Sequence, residues 1–472
     1  MIDFLFVQKS PFPSFGPMFI SAVLKKNGYN CDLILASEEK DLIKTILDKK
    51  PLIVSFPTIT GEHKWILETA REIKKKSKGR ILTLLGGPHP TYYPEIIKEK
   101  GVDIISLGES EDAILELICA LKNKKDIKKI MNLWIKENDK IYKNEIRPLV
   151  YDLDNLPFPD REIYYKYDFL KKASVKQFLT GRGCPYSCTF CANNLLRKIY
   201  QGKGRYIRRR SPDNVISEMK DVRKKYGMKT LSFTDDNFIS NQVWLDEFLP
   251  KYKKEINLPF MCNVTANLVT ESLIKKLKSA GCYGVSMGIE SGNEKLRKEI
   301  LGKYITNSQI LSAGKTIKKY KLILKTYNIL CLPGETVESA FETILLNAAI
   351  RPDHTSCSLL QPYPKYDITE FAKKNNYLPR NFDVDDVFDS IYSDSPINVS
   401  NKNQIKNLQT FFFIAVKYPK LIPLIRMLIK LPPNFVYKWL AKLFYGFYMS
   451  RVHKLTLLDI VRYAIHCDPF KI

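Results

Sequence analysis

The stretch FLTGRGCPYSCTFCANN, residues 178–194, places Cys184, Cys188 and Cys191 in a CxxxCxxC spacing at the end of the apolar run VKQFLT. Three thiolates this close in sequence converge on one soft metal centre. Structural zinc takes four protein ligands, commonly as two CxxC pairs, and the chain has no second pair. Iron–sulfur clusters prefer thiolates, and a [4Fe-4S] unit is usually held by four of them. With three, one iron stays open. The spacing therefore predicts an iron–sulfur centre that leaves one iron for a ligand from outside the protein.

Working outward toward the C-terminus, strand-like and helix-like stretches alternate about six times from Gln177 to about Pro364. The strands read KQFLT, TLSFTDD, PFMCNVT, YGVSMGIE, LKTYNILCL and HTSCSLLQP, with amphipathic stretches such as PDNVISEMKDVRKKYG between them. Repeated βα units predict a barrel whose site lies at the C-terminal ends of its strands. Polar residues sit there. Asp235 and Asp236 end the second run, Asn263 the third, and Glu290 with Ser291 the fourth, in GIESG. An Asp at a strand end also often caps the next helix. LPGET, residues 332–336, follows the fifth strand, with Cys331 where a Gly is expected. Arg208–Arg210 either grip an anion or form a solvated basic turn.

Toward the N-terminus, IDFLFV, CDLILA, LIVSFP, ILTLLGG and VDIISLG are short, continuous apolar runs separated by amphipathic stretches. Such runs suit strands buried on both faces of a parallel sheet. The alternation predicts a doubly wound, Rossmann-like α/β domain over residues 1–140. Its ligand belongs at the carboxyl ends of the strands, in the segments 55–60 (SFPTIT), 86–91 (GGPHPT) and 108–111 (GESE). No GxGxxG follows the first strand, which argues against a dinucleotide.

These motifs resemble one family. CxxxCxxC with Phe190 before its last Cys, together with GIESG, LPGET and PYP at 362–364, resembles the radical S-adenosylmethionine (SAM) signature. PSFGPMFISAVLKKNGYNCDLI, GGPHPTYYPEIIKEKGVDIISLGESE and their spacing look like the cobalamin-binding domain that precedes some radical SAM domains. The chain is thus similar to the class B radical SAM methyltransferases and the anaerobic magnesium-protoporphyrin cyclase group. The resemblance implies a partial (β/α)6 barrel over residues 176–375, after a linker at 141–175. It implies a [4Fe-4S] cluster at Cys184, Cys188 and Cys191 whose open iron chelates SAM. Asp235, Asp236, Asn263, Glu290 and Ser291 are its implied SAM-binding residues. It also implies cobalamin against Thr58, Thr60, Gly87, His89 and Glu109. The DxHxxG loop of many cobalamin proteins is missing, so cobalt would have no protein His on its lower face.

The implied reaction is reductive cleavage of SAM to a 5′-deoxyadenosyl radical, most often for methyl transfer from cobalamin to an unactivated carbon. Some relatives cyclise or rearrange instead. A non-catalytic cobalamin or iron–sulfur sensor is the reading from another class. An RNA-modifying methylthiotransferase needs a second cluster from N-terminal cysteines, and only Cys31 and Cys119 are available. Nucleic acid is therefore not expected as a partner, despite 75 basic against 50 acidic residues and a net charge of +25. An electron donor such as flavodoxin or ferredoxin is expected.

Ten cysteines of which only three cluster, and an N-terminus that reads as a strand, with no signal-peptide pattern, point to a reducing cytoplasm. No apolar run approaches a bilayer span. The C-terminal region, 376–472, is predicted to be helical. Between Ser395 and Leu458 there is no Asp or Glu, while Lys and Arg recur among aromatic and aliphatic residues. A basic amphipathic helix lies well on an anionic membrane surface. The stretch equally suits a helical cap with its bases in water. A lipid-like or other small-molecule substrate and peripheral membrane association are the expectations it raises.

Overall fold

A computed structural model describes residues 2–439, apart from 139, 389, 433, 435 and 438. The chain divides into two compact units, one formed by residues 1–173 and 195–208, the other by 174–194 and 209–472.

In the first unit five parallel strands run Phe4–Gln8, Cys31–Leu35, Ile53–Pro57, Leu82–Gly86 and Ile104–Ser106. These are the five apolar runs of the sequence. In space the second strand lies outside the first, followed by the third, fourth and fifth. The chain thus reverses its winding direction between the first and third strands. All five residues of Phe4–Gln8 are buried, as expected where helices cover both faces. Leu5, Val7, Val54, Phe56, Leu85 and Ile105 share one core with Ile66 and Ile73 of the helix His63–Lys76.

Two features were not read from the sequence. Leu133–Glu137 and Lys140–Lys143 form an antiparallel hairpin on the fifth strand; its only sequence signal is the short alternation on either side of ENDK. The Pro-rich segment read as a linker also folds onto this unit. Ser21 donates to Asp160 (2.6 Å), Tyr164 to Gln8 (2.6 Å), and the Leu35 N–H to Tyr167 (3.0 Å). Each bond spans more than 100 residues of chain, so no local pattern could announce it.

The second unit holds six parallel strands: Val175–Phe178, Thr230–Phe233, Phe260–Val264, Cys282–Glu290, Ile323–Leu330 and His354–Leu359. They lie side by side in chain order. The first and last each pair on one side only, so the sheet is an open, partial barrel. Helices between strands start where caps dictate. Ser211 accepts from the Asn214 N–H ahead of Pro212, and Thr306 and Thr336 make reciprocal capping boxes. An aromatic cluster fills the core beneath the second and third strands. Phe233 stacks on Phe238 at 4.4 Å and meets Phe260 edge-on at 5.3 Å. After the sheet, helices Lys402–Lys417 and Ile422–Leu428 follow. The predicted helical character of residues 440–472 lies outside the described residues.

Candidate functional site

The three cysteines of the opening motif lie on the loop after the first strand of the second unit. None of them is in a disulfide, and all are partly exposed. Cys188 feels the charges of Lys303, Cys191, Glu290 and Cys184; Cys191 feels Asp236 and Glu290. The thiols, two carboxylates and one ammonium thus share one neighbourhood at the strands' C-terminal ends. Burial pushes Cys188 up to about 12, and Cys191 upward too, the latter opposed by Asn193. As thiolates they need a positive centre beside them.

Local contacts fix this loop. The Thr189 N–H donates to Leu301 O (3.0 Å), the Thr189 hydroxyl to Ile300 O (2.6 Å), and the Asn194 amide to Asp367 (2.8 Å). Three thiols on one loop are the donor type that iron–sulfur clusters take, so the donor set fits the cluster chemistry.

Asp235 and Asp236 part company. Asp235 is buried and accepts from the Thr180 N–H (3.1 Å) and hydroxyl (2.6 Å), with Arg209 at 3.6 Å. Burial pushes its carboxyl upward, with Arg209 opposing. Asp236 is exposed, on the side of Cys191. Asn263 donates its amide to Asp235 O at 2.9 Å.

Glu290 sits on a register shift of its strand, with φ of 67°. A bulge of this kind re-aims a side chain, and a non-glycine left-handed residue stores about 1–3 kcal/mol. Its carboxylate pairs with Lys303 at 2.9 Å, and Lys303 also donates to Gly288 O at 2.6 Å. A β-carbon on Gly288 would run into that carboxylate. Ser291 is fully buried, and its carbonyl accepts from Arg297 at 2.6 Å.

Lys303 and Arg297 were missed from the sequence, where nothing local sets them apart from the chain's many other bases. Arg297 is fully buried and bonds Ser291 O, Ile305 O and Asn307. Arg208–Arg210 are each engaged within the protein: Arg208 bonds Glu109, Arg209 bonds Thr180 and the carbonyls of Asn237 and Phe238, and Arg210 bonds Glu218 and Asn214. Cys331 has φ of 61°, which is why its position reads as one for Gly.

In the first unit Thr58, Thr60, Gly87 and His89 gather at the ends of the third and fourth strands. Thr58 donates its N–H to Gly86 O (2.7 Å) and accepts the His89 N–H (3.1 Å). Gly87, φ 97°, lies so close to Thr58 that a β-carbon would meet its carbonyl at 3.2 Å. Thr60 bonds His89 Nδ1 at 2.9 Å, and the buried His89 ring stacks on His63 at 4.8 Å. Such packing suits a histidine that supports the loops, not one that reaches out to a metal. Glu109 lies one strand further on. Its carboxylate is held by Arg208 at 2.9 Å, and its N–H donates to Tyr200 at 2.7 Å.

Two families match this framework. The Radical SAM superfamily matches residues 178–346, and the B12 binding domain matches residues 5–118. An uncharacterised methyltransferase of Pyrococcus horikoshii is 31% identical over 345 residues, covering 72% of this chain and 73% of its own. The anaerobic magnesium-protoporphyrin IX monomethyl ester cyclase of Rubrivivax gelatinosus is 26% identical over 76% of this chain and 68% of its own. Among solved structures, the radical SAM methyltransferase TsrM of Kitasatospora setae shares the fold, with TM-score 0.64 and 18% identity over 80% of this chain and 77% of that one. The chain belongs to the radical SAM superfamily, in the branch that carries a B12-binding domain. Its two domains imply a [4Fe-4S] cluster with SAM, and cobalamin, respectively.

Proposed function

We propose that this chain is a cobalamin-dependent methyltransferase that cleaves SAM reductively and methylates an unactivated carbon of a small, lipid-like substrate. The observation that carries the reading is the shared neighbourhood of Cys184, Cys188, Cys191, Asp236, Glu290 and Lys303 at the strand ends. When bound, the cluster supplies the electron that splits SAM, and cobalamin supplies the methyl group.

The chain's own residues do the rest. The three thiolates hold the cluster and leave one iron for the amino and carboxylate groups of SAM. Asp236, exposed beside Cys191, is suited to an ammonium. Glu290, aimed by its bulge and held by Lys303, accepts from ribose hydroxyls, with Ser291 beside it. Asp235 and Asn263 serve SAM through the loop they brace. Thr58, Thr60, Gly87 and His89 shape the cobalamin rim, while Glu109 acts through its pair with Arg208. Residues 1–140 and 176–375 are the corresponding functional domains. An electron donor of the flavodoxin or ferredoxin kind, a cytoplasmic location and a membrane-surface contact of the C-terminal region belong to the same proposal.

Anaerobic reconstitution with iron, sulfide and hydroxocobalamin, followed by reduction with SAM, tests the reading. Methyl transfer yields 5′-deoxyadenosine and S-adenosylhomocysteine together. Deoxyadenosine alone would move the assignment to cyclisation or rearrangement, as the cyclase relative suggests. No SAM cleavage by the reduced holoprotein would leave a sensor.

A further inference from the structure

The acid-free stretch 395–458 is not used by the chemistry above, and its described part shows an unusual surface. The helix Ile422–Leu428 turns Ile425 and the following Ile429 into the core, both almost fully buried. Its opposite face is apolar as well. Leu421, Leu424 (51% exposed) and Met427 (69%) follow one another at helical spacing, and Leu431, Val436 and Trp439 (61%) are exposed after them. Tyr418 precedes the row, also exposed.

This face is held outward by specific bonds. The Asn407 amide donates to Ile429 O (3.0 Å) and Leu431 O (2.8 Å), and the Tyr437 hydroxyl to Leu428 O (2.8 Å). The Arg426 guanidinium lies 3.9 Å from the centre of the Phe341 ring. Polar anchors therefore fix the inner side while the apolar row remains in water, an arrangement that marks an interaction surface. Lys417, Lys420 and Lys430 are exposed along it.

Charge selects the occupant. Ten Lys or Arg and no acid lie between Ser395 and Leu458. A second copy of this face would bring like charges together. The segment 441–472 carries Lys442, Arg451, Lys454, Arg462 and Lys471 against Asp459 and Asp468, so it is no counter-charge either. An apolar row edged by lysines fits an anionic phospholipid surface, its side chains entering the acyl boundary and its ammonium groups meeting phosphates.

We infer that the outward face of Leu421, Leu424, Met427, Leu431 and Trp439, edged by Lys417, Lys420 and Lys430, docks the enzyme peripherally on anionic phospholipid bilayers. This deepens the membrane contact proposed above and is independent of the reaction.

Co-sedimentation of the reconstituted full chain with phosphatidylglycerol–phosphatidylcholine vesicles, and with phosphatidylcholine alone, tests it. Binding is expected on the anionic vesicles only, and to fall at least tenfold in 0.5 M salt. Leu424→Asp with Met427→Asp should lower partitioning at least tenfold. Lys417→Gln, Lys420→Gln and Lys430→Gln together should do the same, since each base near such a surface is worth about fivefold. SAM cleavage, cluster absorbance and melting temperature should not change, which separates this outcome from failure of the reaction. Equal binding to both vesicles, or none, would overturn the inference, as would variants that bind like the parent. A change of oligomeric size in the Asp variants would assign the face to a second copy. A fall in their melting temperature would assign it to the chain's own remaining residues.

Discussion

Asp235 accepts hydrogen bonds from Thr180 inside the sheet while Asp236, one residue on, lies exposed near Cys191. Removing the first charge leaves the Arg209 guanidinium buried without its counter-ion, a loss typically worth about 3 kcal/mol. Asp235→Asn should therefore lower the urea midpoint clearly. Asp236→Asn should leave it unchanged and weaken SAM binding to the anaerobic, cluster-loaded protein, as equilibrium dialysis would show. Glu335 offers a pH test. Burial pushes its carboxyl up to about 8, with the Leu332 and Cys331 N–H groups opposing. The folded chain keeps this proton where the unfolded chain has lost it. Stability from this group is thus full below about pH 4.5, declines as pH rises to about 8, and is flat above. Over that window the loss is on the order of 5 kcal/mol. Glu335→Gln should match the parent at pH 5 and exceed its stability at pH 8, as urea melts at the two values would check. An equal pH slope in both proteins would refute this.

The elements were readable to different depths. All eleven parallel strands were read from the sequence. Those of the first unit are apolar runs because burial on both faces leaves no room for polar alternation, whereas several of the second unit alternate buried with partly exposed residues. Helix starts were also local, since Ser211, Thr306 and Thr336 cap from their own sequence neighbourhoods. The added hairpin was not readable, being short and half polar. Glycines behave the same way. Gly314 lies in the helix Asn307–Lys319, where Ala is ordinarily better by about 1 kcal/mol. Yet a β-carbon there would lie 2.7 Å from the Ile350 side chain of the helix Val337–Ile350. Gly314→Ala should destabilise the protein by about 1–3 kcal/mol, the usual range for overpacking, in thermal or chemical unfolding. A stabilised variant would show that the two helices can part.

Across the whole molecule, each compact unit has its own sheet and core. The cofactor sites should then be separable. Cys184→Ala, Cys188→Ala and Cys191→Ala together should abolish iron and sulfide uptake while hydroxocobalamin binding, read from its visible spectrum, persists. Loss of both would mean that cobalamin depends on the cluster loop. Three cysteines within eight residues, two series of apolar runs and the GIESG and LPGET motifs were enough to set the fold class and the family. Each of those signals is local: strand burial, helix capping and ligand spacing act within a few residues. The tertiary structure alone decided that Asp235 is bound within the sheet and Asp236 is not, that Lys303 holds Glu290, and that Arg208–Arg210 are structural. It also set the apolar row of Leu424 and Met427 facing water. Those outcomes depend on which distant groups meet, and a charge or a methyl group has the same letter whether its partner is water or a side chain a hundred residues away.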